Sequence, residues 1–64
     1  MCLSTVYFQT EGKRQKVMQD VAKMECSEDG YLLVGLLGDH KTIVGRITQV
    51  DFINDHSVIF EKET

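Results

Sequence analysis

The stretch that most constrains how this chain can fold is Glu28-Asp29-Gly30. Asp-Gly supplies the positive-φ positions of a type I′ turn, the reversal that best matches the twist of two antiparallel strands. The residues on either side fit that reading. Val21 to Glu28 alternates, with Ala22, Met24 and Cys26 on one face and Lys23, Glu25 and Ser27 on the other. This is the period of a half-buried strand, and it points Cys26 inward as core packing. A thiol buried among apolar groups has a raised pKa and is a poor metal ligand. After the turn, Tyr31 to Leu37 is apolar on both faces. That predicts a central strand with one face in the core and the other covered by a second chain. Gly35 within it marks a bulge or a close backbone approach.

The same logic extends outward. Leu3 to Thr10 reads as a strand, with Cys2, Ser4, Val6 and Phe8 on one face and Leu3, Thr5 and Tyr7 on the other. Glu11-Gly12-Lys13-Arg14 is a turn signal. Lys13, Arg14 and Lys16 form the one basic cluster, read as a solvated hairpin turn. Gln15 to Asp20 admits either a short strand through Val17 or one helical turn at Met18-Gln19-Asp20. Gly38-Asp39-His40-Lys41 is a turn. Thr42 to Phe52 predicts one long strand bent at Gly45. Asn54-Asp55-His56 is a turn, and Ser57 to Glu61 is the last strand, ahead of a charged tail. The spacing is that of an all-β domain: five to six strands, at most one short helical turn, closed into a small, strongly bent barrel.

Length and charge narrow the functional classes. The 64 residues make one domain, 1–64. A chain this short commonly needs a metal, a disulfide or a second copy to supplement its core. Cys2 and Cys26 are too few and too irregularly placed for a disulfide scaffold or a Cys-x-x-Cys zinc site. No apolar run approaches the roughly 20 residues of a membrane span. No signal peptide is visible, so the cytoplasm is the expected compartment. The formal net charge of −3 opposes nonspecific binding to RNA or DNA. No Gly-rich phosphate loop occurs. A Cys–His nucleophile pair has nothing to hold it together, and the domain has little room for a substrate cleft. The chain is therefore expected not to be an enzyme. His40 and His56 read as solvated turn residues, with an outer metal ligand as the alternative.

One constellation does carry chemistry. Met1-Cys2 packs a terminal amine, a peptide nitrogen and a thiol into two residues. The Met1 amine, the Cys2 amide nitrogen and the Cys2 sulfur can close two fused five-membered chelate rings. With Met1 removed, the amine and thiolate of Cys2 close one. Planar nitrogen–sulfur sets of this kind suit Ni(II) or Cu(II), whereas thiolate-rich tetrahedral sets suit zinc. The alternative is a small apolar residue at the start of a strand.

Taken together, Met1-Cys2-Leu3-Ser4-x-Val6-Tyr7, Met18-Gln19-Asp20-Val21-Ala22, Leu37-Gly38-Asp39 and Gly45-x-Ile47-x-x-Val50-Asp51-Phe52 resemble the CooT family. These are small nickel-binding accessory proteins of carbon monoxide dehydrogenase maturation, a family that has also carried the label of RNA-binding protein. The resemblance covers essentially the whole chain, and its specific feature is Met-Cys at the start. It implies an Sm-like, SH3-like barrel and a homodimer. It further implies Ni(II) held through Cys2 of both subunits, for delivery to or storage for a nickel enzyme or its maturation factors. Two rivals remain at this stage: an Sm-like nucleic-acid-binding module and a metal-free interaction domain. Against the first, Tyr7, Phe8, Tyr31, Phe52 and Phe60 are mostly assigned to core faces, leaving no stacking platform.

Overall fold

The computed structural model describes residues 3–63. Six strands follow in chain order: β1 Ser4–Thr10, β2 Lys13–Ser27, β3 Gly30–Gly35, β4 His40–Ile43, β5 Arg46–Asp51 and β6 Ser57–Glu61. No helix occurs among the described residues. The strands form one sheet in the order β4-β3-β2-β1-β6-β5. Neighbours are antiparallel except β1 and β6, which run parallel from Thr5 opposite Ser57 to Gln9 opposite Glu61.

That order forces the sheet to curl. β4 and β5 lie at opposite edges, yet only Val44 and Gly45 separate them in sequence. Five strand spacings in a flat sheet come to about 24 Å, while the three Cα steps from Ile43 to Arg46 reach at most about 11 Å. The two edges must therefore approach each other. Tyr31 on β3 and Phe60 on β6 confirm it, since they stand three places apart in the sheet but meet edge to face with ring centroids 5.1 Å apart. The fold is a small β-barrel.

Inside it, Val6, Val21, Leu33, Ile43, Val58 and Phe60 form the buried core, with Phe8, Val17, Met18, Met24, Tyr31 and Ile47 packed around them. The segment read as strand or helical turn is part of β2, whose amino-terminal half pairs with β1 and whose carboxy-terminal half pairs with β3. The strand bends between the halves. The register skips Val17 where Val6 faces Met18 and Tyr7 faces Lys16, and skips again between Val21 and Lys23. Asp20 takes φ 56° at the bend. The first of these bulges lets both Val17 and Met18 turn toward the core, an arrangement that simple alternation cannot express.

Three expectations need correction. The segment Thr42 to Phe52 is not one bent strand; it is broken at Val44-Gly45 into β4 and β5. Gly45 has φ 156°, and a Cβ there would stand 2.6 Å from the Glu61 carbonyl oxygen. The chain therefore crosses from edge to edge where only glycine fits. The hairpin at Glu28-Asp29-Gly30 exists, but positive φ falls on Gly30 and on neither Glu28 nor Asp29, so the turn is not type I′. The turn with two positive central residues is Glu11-Gly12, at φ 51° and 81°, joining β1 to β2. Finally, Cys26 is exposed. Its phase is inward as expected, opposite Tyr31, but it sits near the end of β2, two residues before the turn, lining an open groove with Tyr31, Val44 and Arg46.

Candidate metal centre

Met1 and Cys2, the candidate ligands, lie outside the described residues; the ground they rise from does not. Ser4 opens β1 opposite Val21, which in turn faces Gly35 at the end of β3. On the other side Thr5 faces Ser57 at the start of β6, and Ser57 faces Asp51 at the end of β5. One end of the barrel thus gathers the start of β1, the loop after β3 and the loop after β5.

Both loops are apolar and open. Leu36 and Leu37 are 50% and 93% exposed, and Phe52 and Ile53 are 63% and 86% exposed. Among the described residues, four of the six exposed large apolar side chains therefore lie in the loops at this end, Val44 and Val50 being the others. The expected two-sided strand Tyr31 to Leu37 accounts for part of this. Its Leu33 is fully buried and its exposed residues come after the strand has ended. Phe52, expected at the end of a long strand, continues the inward phase of Val50 and Val58 but lies beyond the last residue of β5. An apolar groove of about 190 Å³, lined by Ser4, Val6, Val21, Met24, Phe52 and Val58 among others, lies beside it.

The loops are held by their own polar contacts. Asp51 accepts hydrogen bonds at one carboxylate oxygen from the Ile53 and Asn54 backbone N–H groups, at 2.9 and 3.0 Å. These bonds, that of Asn54 foremost, hold the Asp51 carboxyl below the usual carboxylate range. Gly35 donates to the Asp39 carbonyl at 2.7 Å, and Leu36 donates to the Asp20 carbonyl at 3.0 Å. A Cβ at Gly35 would collide with the Asp39 carboxylate and stand 2.9 Å from Met18 Cε, so the expected close approach at this glycine is real.

The two histidines belong to the same end. The Thr5 N–H donates to the His56 carbonyl at 2.9 Å, and His56 is half-buried with φ 49°. His40 opens β4 opposite Val34, one residue before Gly35. Sequence spacing could not reveal this, because it is the strand order that brings both turns to the start of β1. Among the described residues, no group of three or more His, Cys, Asp and Glu side chains is arranged to hold a metal ion. The donors that Met1 and Cys2 carry, a nitrogen–sulfur set, fit Ni(II) chemically.

The architecture is that of a small β-barrel whose open apolar end surrounds the entry of its first strand. Among known proteins, the family model described as CO dehydrogenase accessory protein CooT matches residues 1–61. The chain belongs to this family. It is 34% identical over 61 residues to the uncharacterized protein MJ1551 of Methanocaldococcus jannaschii, covering 95% of this chain and 98% of that one. It also superimposes on the crystal structure of a CooT-assigned protein from Carboxydothermus hydrogenoformans. That match has a TM-score of 0.89 and 25% identity, and covers 98% of this chain and 100% of the other. The family is one of accessory proteins to an enzyme. Among the described residues, no helix is long and apolar enough to cross a membrane.

Proposed function

We propose that this protein is a homodimeric nickel carrier or store serving carbon monoxide dehydrogenase maturation, with Ni(II) as cargo held by Cys2 of both chains. The observation that carries the reading is the family match, which begins at residue 1 and so includes Met1 and Cys2. The geometry of the barrel end supports it. A single Cys2 supplies one thiolate and at most two nearby nitrogens, which leaves a four-coordinate ion incomplete. A twofold axis near the start of β1 duplicates every donor there. The amine of Met1 and the amide of Cys2 are the natural nitrogen donors. The apolar loops at Leu36-Leu37 and Phe52-Ile53 offer the self-complementary surface that such a pairing needs.

Thiol and amine must lose protons to bind, so affinity falls steeply as pH drops. The test is titration with nickel, followed by sulfur-to-nickel charge-transfer absorption. The parent protein develops the band. Cys2→Ala folds normally and does not develop it. A folded Cys2→Ala that binds nickel as tightly as the parent overturns the proposal and moves attention to His40 and His56, which lie at the same end.

A further inference from the structure

We propose that the cationic flank along the amino-terminal half of β2 is a docking surface for an extended acidic segment of a partner protein. The chain has a formal net charge of −3, yet three of its cations, Lys13, Arg14 and Lys16, lie in this half-strand, and Lys41 of β4 reaches across to it. Lys16 and Arg14 stand opposite Tyr7 and Gln9 in register, so both project from the outer face of the sheet. The Arg14 guanidinium lies over the Tyr7 ring, 5.4 Å from its centroid. Lys16 Nζ donates to Gln19 Oε1 at 2.8 Å, and Lys41 Nζ donates to the Val17 carbonyl at 3.4 Å. An aromatic ring, an amide and a backbone carbonyl thus position three charges without neutralising any of them. Among the described residues, the ion pairs are Lys23–Glu25 and Arg46–Glu61, both elsewhere. Side chains already held in place lose less freedom when a partner binds, and their charge remains available to it.

The backbone gives the partner its shape. The amino-terminal half of β2 pairs with β1 along one edge, while β3 joins the other edge only from Val21 onward. Among the described residues, Lys13 to Gln19 therefore has no strand on its second edge, and Lys13 to Lys16 are exposed. Such an edge accepts an added strand through main-chain hydrogen bonds. Lysine beside it deters pairing with arbitrary strands, and a carboxylate-bearing segment is the one that compensates the charge. A polyphosphate chain fits less well, because the protein is net negative and the Tyr7 face is already covered by Arg14. Lys13 follows the Glu11-Gly12 turn, at the far end of β1 from Ser4. The surface starts away from the Cys2 end and reaches toward it at Gln19 and Lys41, and the proposal does not rest on nickel binding.

The experiment titrates isotope-labelled, metal-free protein with an end-blocked 12-residue peptide alternating glutamate and threonine, at low salt, by NMR. Shifts are expected on Tyr7, on Lys13 to Gln19 and on Lys41. Lys16→Gln should weaken binding at least threefold, and Lys13→Gln, Arg14→Gln and Lys16→Gln together at least tenfold. Lys23→Gln changes the net charge as much as Lys16→Gln and should leave affinity unchanged. Shifts confined to the β4 or β5 edge, or equal effects of Lys23→Gln and Lys16→Gln, overturn the proposal. So does tighter binding of a twelve-nucleotide polyuridine at the same residues, which would mark a nucleic-acid surface instead.

Discussion

Cys26 shows how a side chain can have the right phase and the wrong surroundings. It faces inward from β2, but near the end of the strand, where it is exposed. Had it been buried, Cys26→Ser would cost about 1–3 kcal/mol for an unpaired hydroxyl. Exposed, the substitution should change stability by no more than about 0.5 kcal/mol in urea unfolding. The native thiol should also react with a disulfide reagent at the rate of the unfolded chain, and protection of it would return Cys26 to the core. Asp51 makes the opposite kind of contribution. Its folded carboxyl is held below its ordinary value of 3.8, so the stabilisation is fully present above that pH. It is lost as pH falls below 3.8 and through the lower folded value. Asp51→Asn should flatten the acid limb of the stability curve in this window. An unchanged limb would mean that the loop bonds to Ile53 and Asn54 carry no net stability.

At the level of elements, the strands were legible because Val6 and Phe8, and Val58 and Phe60, alternate cleanly with polar or opposite-face neighbours. What alternation could not encode lies at the bulges and breaks. Val17 and Met18 both turn inward because the register slips beside them. Asp-Gly at positions 29 and 30 looked like the tightest turn, yet Glu11 accepts the left-handed conformation and Asp29 does not. Local residue preference chooses among turns only when the flanking register leaves it free to do so. The link at Gly45 is the sharpest case, because its purpose, joining opposite sheet edges, exists only after the barrel has closed. Gly45→Ala forces both an unfavourable φ and a clash with the Glu61 carbonyl. It should cost about 1–3 kcal/mol, read as a lowered urea midpoint. Full retention of that midpoint would show that the link can shift without loss.

On the scale of the whole molecule, the sequence offered Cys2 as the candidate metal ligand but not the setting of the strand that follows it. That setting is assembled from β1, β3, β5 and β6 and depends on their order, which no local pattern records. The exposed Leu36, Leu37, Phe52 and Ile53 surround it. Association through this end predicts that Ile53→Glu shifts the metal-free protein to monomer in analytical ultracentrifugation while leaving its fold intact. A dimer that survives with undiminished affinity places the interface elsewhere. The core itself is small, so Leu33→Ala, expected to cost about 2–5 kcal/mol, should remove much of the stability available to a domain of this size.

Whether one ion is shared by two amino termini is read directly by native mass spectrometry during nickel titration. It should show one nickel per two chains in the parent. Cys2→Ala should remain dimeric and bind none. One nickel per chain, or undiminished nickel in folded Cys2→Ala, would contradict the shared site.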